Sequence, residues 1–339
     1  MRNFTDAHNI QCERRERYGE ISVECSNSLK GILAICILAH HLYQYSGLFR
    51  NTVLGGCLQS AGYLSVACFF FLSGYGLFIS CEKNGTKYIK NFVQHKIVPF
   101  YGLILLFTVL YFVEGILLGN VYSIPIIIES FTFGGTIIVN GWYLQVQLLF
   151  YFIFFLTFRV TSYDTVRITL ICVECLVLCI IMRLVGESSF WYESIFAFPI
   201  GMIWGKYFNV FENKFGKKIV CLRTLVLIGV LFCITFIGSH LIEKEMFALV
   251  LKMLSAVLFV VSVAIVINFI NIENRLTRWL GKYSTEIYAL QGLFLILYHS
   301  KVINLKNPYI YVIAVITSVF AAAVIVHPAT RKIYAVARK

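Results

Sequence analysis

Long apolar runs separated by short polar, basic stretches give this chain its pattern. Ten runs approach or exceed the length of apolar helix that crosses a bilayer core, about 20 residues. They lie near 29–48, 61–80, 98–118, 142–158, 166–184, 190–205, 219–238, 246–269, 283–299 and 308–327. Each predicts a helix, because backbone polar groups within lipid must be satisfied inside their own segment. The expected fold class is all-α: a polytopic membrane helix bundle of about ten transmembrane helices. The sixth run is short and holds Pro199, which predicts a kink or an irregular stretch. Segment 119–141 has no Lys or Arg and is rich in Ile, Phe and Gly. It reads as a re-entrant or interfacial piece beside an outward pocket. The chain divides into a polar N-terminal segment 1–28, a membrane domain 29–327 and a tail 328–339. No internal repeat or low-complexity linker interrupts it.

Charge orients the bundle. Of 29 Lys and Arg residues, 23 fall on the side of the two termini and six on the other. Cations gather on the cytoplasmic side of membrane proteins. Both termini are therefore expected in the cytoplasm, and the first helix runs outward.

Composition agrees with a membrane protein. The chain has 339 residues, 59% of them hydrophobic, against 45–50% in soluble domains, and a mean hydropathy of +0.79. The net charge of +12 is spread over short connecting stretches and forms no basic tract interleaved with aromatics, so nucleic acid is not an expected partner. Most of the eleven Cys fall within apolar runs, and Cys57 alone is placed in an outer loop, which excludes a secreted disulfide framework. Cys172, Cys175 and Cys179 share one side of a helix without a His beside them, so packing is their expected role and no metal site is expected. The first 28 residues lack the apolar core of a signal peptide.

The chemistry concentrates in the first run, SLKGILAICILAHHLYQYSGL, residues 28–48. A histidine inside hydrocarbon is costly and is a functional candidate. Lys30 and His41 are eleven residues apart, close to three turns, so they share a face about 16 Å apart along the axis. His40 is rotated onto another face and is a secondary candidate. In the second run, Ser73, Gly74 and Gly76 form a small-residue patch that admits close helix approach. The basic stretch 81–97 carries Lys83, Lys87, Lys90, His95 and Lys96; it reads either as an orientation signal alone or as a phosphate-binding mouth. Gln145, Gln147 and Tyr151 are expected to bond between helices, and Glu174 and Glu286 are buried carboxyls needing a partner or a proton.

The strings LKGILAICILAHHL, FFFLSGYGL, HKIVPFY, WYLQVQLLFY, FAFPIGMIWGK and LGKYSTEIYALQG occur in that order. Together they resemble the acyltransferase 3 family of bacterial membrane acyltransferases, over about residues 28–327. The resemblance implies transfer of an acyl group, most commonly acetyl, from cytoplasmic acyl-CoA to a hydroxyl outside the membrane. The implied acceptor is a capsular, exo- or cell-wall polysaccharide or a lipid-linked precursor, and the implied location is the bacterial plasma membrane. The family's first helix carries a basic residue, ten intervening residues and a His needed for activity. Lys30 and His41 fit that spacing. Phe69, Phe70, Ser73 and Gly74 match a second string, and Ser284 and Tyr288 a third. Three departures stand out. Ala67 replaces a frequent acid, Gln291 replaces a frequent His, and the esterase-like domain that follows in some members is absent from this sequence.

The expected donor site uses Lys30, Lys87, Lys90 and Lys96 for the CoA phosphates, with the flexible arm passing Ser73 and Gly74. His41 then serves as general base or accepts the acyl group as a nucleophile. Tyr151, Glu174, Ser284 and Tyr288 are secondary candidates. Acyl-CoA is the only cofactor-like molecule expected; lipids and, in an oligomer, a second copy are the other partners. Two rival classes are a transporter or flippase and a sensor domain without catalysis. The absence of repeated halves counts against the first, and retention of both Lys30 and His41 against the second.

Overall fold

The computed structural model describes residues 20–133, 137–215 and 218–337. Segment 1–19, with its four arginines, lies outside the described residues. Those described form helices and turns in the order α1 Val23–Ser46, α2 Val53–Lys90, a π turn Val93–Ile97, α3 Val98–Leu117, α4 Ile124–Phe133, α5 Trp142–Val160, α6 Asp164–Val185, a 3-10 turn Ser189–Trp191, α7 Ala197–Phe215, α8 Lys218–Leu241, α9 Glu245–Val266, α10 Arg275–Lys282, α11 Ser284–Leu297 and α12 Pro308–Val336. The protein is an all-helical polytopic bundle. Eight of the described helices, α1, α2, α3 with its π turn, α5, α6, α8, α9 and α12, are long and apolar enough to cross a membrane.

Two of the ten expected segments are not among these eight. The expected sixth helix, 190–205, begins only at Ala197. Pro199 sits in its first turn, where a missing N–H costs nothing. The irregular stretch comes before it, at 189–196, where turns bond over three residues. The expected ninth helix, 283–299, is α11, Ser284–Leu297, with 14 residues, about 21 Å; the short helix α10 precedes it.

The second run also differs from expectation. Helix α2 takes in flanking segments that the hydropathy pattern leaves as loops, giving 38 residues from Val53 to Lys90. Thr52 caps its start by accepting from Gly55 N, so Cys57 lies on the helix. At the far end Gly85 takes φ 56°, ψ −143° and breaks the axis, a conformation that glycine alone adopts without strain. The basic stretch 81–97 is therefore helix and π turn. The π turn has a local cause. Pro99 cannot donate to the carbonyl of His95 and its ring crowds it; the turn before it widens, and Val98 N–H reaches back to Val93 O.

Local signals set the ends elsewhere. Ser22 caps α1 by accepting from Cys25 N, and Gly47, at φ 67°, closes it with an N–H to Tyr43 O. Asn307 caps α12, with Pro308 following at N1. Asn274 and Thr277 form a reciprocal capping box on α10.

Helix α2 is the most deeply buried of the spanning helices, and α1 packs beside it. Ala34, Leu38 and Leu42 of α1 bury against Ile287 and Leu295 of α11 and Tyr311, Val315, Val319 and Ala323 of α12. Its other side joins a larger core with α2, α5 and α7. Helices α2 and α7 meet through glycines: Gly74 lies against the Phe198 carbonyl and Gly201 against the Phe71 carbonyl. Phe150 stacks on Phe198 with centroids 4.3 Å apart and meets Phe70 edge-on at 4.9 Å. By contrast α8 presents most of its side chains outward, as a lipid-facing helix does.

Candidate functional site

His41 lies about 27 Å along α1 from Val23 and about 8 Å from Ser46. It is only 7% exposed. Its ring centroid is 5.0 Å from that of His40, but the two rings serve different neighbours. His40 faces α2, where its Nδ1 lies 3.0 Å from the Leu58 carbonyl and its ring rests on Gly62. That ties α1 to α2. His41 faces α11, where the Gln291 carboxamide interacts with it. His41 Nδ1 and Gln291 Oε1 nevertheless have no hydrogen-bond partner that meets full geometry.

Gln291 stands where the family resemblance leads one to expect a His. The structure sets it beside His41. It is 1% exposed, and its Nε2 donates to Tyr288 O at 3.0 Å, which leaves its Oε1 as the uncommitted end. Tyr288, one turn earlier, donates its hydroxyl to Asn140 O at 2.6 Å and meets the Tyr143 ring at 5.1 Å. Asn140 holds a left-handed φ of 59°, which aims that carbonyl at α11. The chain just after 136 thus folds inward against the His41 neighbourhood, with Val139 against Gly292.

Ser73 accepts from Gln147 Nε2 at 2.8 Å and lies within reach of the Tyr151 hydroxyl. Tyr151 is set among Phe100 and Phe92, with centroids at 5.1 and 6.1 Å. Gln147 Oε1 is buried without a partner. Gly74 does not border this polar seam: the space beside it is filled by the backbone of α7. Room for a ligand arm there is taken, and the glycine's role is helix contact. Ser284 donates to Gly281 O at 3.0 Å and joins α10 to α11. Glu174 accepts twice from the Thr157 hydroxyl, at 3.0 and 2.9 Å, across α5 and α6.

The Lys30 end carries the cations. Lys30 is partly buried, and Lys96, brought in by the π turn, acts on it electrostatically. Lys87 and Lys90 are exposed at the end of α2, beyond the break at Gly85. Gly31 meets the backbone of Leu280 and Gly281, and Gly281 meets the Asn27 carbonyl, so α10 abuts α1 beside Lys30.

A second buried pair escaped the sequence reading in part. Glu286, 3% exposed, accepts from His327 Nδ1 at 2.8 Å and from the Thr330 hydroxyl, all on one oxygen. His327 also meets the Tyr283 ring edge-on at 4.8 Å. Glu286 was recognised as a carboxyl in need of a partner. The signal for the partner was His327 and Thr330 at i, i+3 on one face of α12, overlooked because that face lies where the apolar run ends.

The fold is that of a polytopic membrane protein, and the buried imidazole of His41, with polar groups converging on it, is its candidate site. Residues 23–327 match the family model described as "Acyltransferase domain" (Acyl_transf_3), and the chain belongs to this family of membrane acyltransferases. No curated protein and no solved structure matches it.

Proposed function

We propose that the protein is an O-acyltransferase of the bacterial plasma membrane, with acetyl-CoA as its donor and the hydroxyl of an extracytoplasmic glycan as its acceptor. The observation that carries this reading is the position of His41: buried in the outer part of α1, interacting with Gln291, with one ring nitrogen lacking a partner. Lys30, about 16 Å back on the same face, and Lys96 supply positive charge for the donor's phosphates, with Lys87 and Lys90 at the rim. The acyl-carrying arm spans the interval, along the seam that holds Ser73, Gln147 and Tyr151. Gln147 Oε1 is available there to an amide N–H of that arm.

The step balances without a cofactor. His41 takes the proton of the acceptor hydroxyl as its oxygen attacks the thioester carbonyl. The tetrahedral intermediate collapses, the carbon–sulfur bond breaks, and the CoA thiolate leaves with the proton returned from the imidazolium. Gln291 Oε1 stands uncommitted beside the ring, an acceptor that a ring N–H engages in the reacting complex to select the basic nitrogen. With both termini in the cytoplasm, the cationic end faces the donor pool and the His41 end faces the acceptor.

The test compares surface glycans of cells with the wild-type gene, the His41→Ala gene and no gene, by mass. An added acyl group with wild type alone is the expected result. The same modification with His41→Ala protein would overturn the assignment.

A further inference from the structure

Helix α10, Arg275–Lys282, is eight residues long and caps itself with the Asn274–Thr277 box. It joins α9 to α11 without crossing the bundle. Its sequence, RLTRWLGK, distributes three kinds of side chain around the axis. At about 100° per residue, Arg275, Arg278 and Lys282 fall within one arc of about 60°. Trp279 and Leu276 occupy the next arc. Thr277 and Gly281 fall on the opposite side, where Thr277 is buried and Gly281 abuts α1.

The outward arcs are not covered by the described residues. Leu276 is 64% exposed and Trp279 40% exposed, and all three cations are exposed. Among the described residues none of the three cations enters an ion pair, and Lys282 lies over the Tyr283 ring at 4.9 Å. No acid occurs within the helix; the nearest, Glu273, accepts from Ser22. The Trp279 ring reaches Phe320 at 5.8 Å, on the apolar part of α12 and about 16 Å along its axis from Arg331. The apolar arc is thus at hydrocarbon depth while the cations stand beside it.

We propose that α10 is a docking surface for anionic phospholipid headgroups at the membrane surface on the Lys30 side of the bundle. An apolar arc in the acyl region next to an unneutralised cationic arc is the arrangement that holds an interfacial helix on acidic lipid. Because Gly281 rests on α1 beside Gly31, a docked lipid also fixes the position of the Lys30 turn. This surface is independent of the acyl-transfer reading, and either stands if the other fails.

The experiment uses the full-length protein extracted in neutral detergent, with phosphatidylglycerol and phosphatidylcholine as competing probes. Lipid retained per protein is measured by mass spectrometry for wild type, for R275Q/R278Q/K282Q and for W279S. Wild type is expected to retain phosphatidylglycerol in several-fold excess over phosphatidylcholine. The triple variant, at unchanged thermal stability, is expected to lose that preference, and W279S to lower retention of both lipids. Equal preference in wild type and the triple variant overturns the proposal. So does a triple variant that keeps its lipid but loses affinity for a non-hydrolysable acyl-CoA, since the cations would then belong to the donor.

Discussion

At the scale of single residues, two adjacent histidines are separated by what they touch. His40 is committed through Nδ1 to the Leu58 carbonyl, whereas His41 Nδ1 has no partner. Replacing His41 by Ala should lower acyl transfer by at least about 100-fold, the usual contribution of a positioned general base. His40→Ala should chiefly lower the melting temperature and leave most of the turnover. Comparable losses of turnover for the two would contradict this division of roles. Gln291→Leu removes one hydrogen-bonding group from the imidazole, worth about 1 kcal/mol or about fivefold in kcat. KM for the donor should stay constant, and a rise in KM alone would place Gln291 in substrate binding instead. Lys30→Ala should act in the opposite way, raising KM for acyl-CoA with little change in kcat. The Lys30–His41 spacing was readable from the chain because both lie on one unbroken helix. Gln291 was not, because its approach to His41 depends on how α11 turns against α1. A glutamine in an apolar run also carries no signal of what it faces.

Helix contacts set where those residues stand. The reciprocal approach of Gly74 and Gly201 to carbonyls of the opposite helix leaves no space for a Cβ. Gly201→Ala should therefore cost about 1–3 kcal/mol through overpacking, read as a lower melting temperature in detergent. An unchanged melting temperature would mean that α2 and α7 are not so closely joined. The Glu286–His327 pair joins α11 to α12 and so bears on the orientation of Tyr288 and Gln291. Removing one member leaves a buried group uncompensated. H327L should destabilise the protein more than the double variant E286L/H327L, measured by thermal unfolding, and equal losses would argue against the pair as a structural tie. The hydropathy pattern located the helices but missed some of their ends. It ran through the turn before Ala197 because Phe190, Trp191 and Phe196 are apolar without being helical. It also stopped short of both ends of α2, where capped or polar helix continues past the apolar run.

For the whole molecule, the bundle and its family are both recognisable in the chain, because lipid forces long apolar segments to be helical. The direction in which the bundle is threaded rests on cation asymmetry alone. Cys57 is exposed at the start of α2, on the side assigned to the exterior. In a variant keeping Cys57 as its single cysteine, a membrane-impermeant maleimide should label intact cells. Labelling only after permeabilisation would reverse the orientation and put the Lys30 end outside, away from cytoplasmic acyl-CoA. Transfer by the imidazole of His41, between a donor on one side and an acceptor on the other, can be measured across a sealed membrane. Wild type and His41→Ala are reconstituted in sealed vesicles with radiolabelled acetyl-CoA on the side of the Lys30 end and glycan acceptor on the opposite side. Label is expected on the acceptor with wild type and none above background with His41→Ala; equal labelling by both would rule out a role for His41 in the transfer.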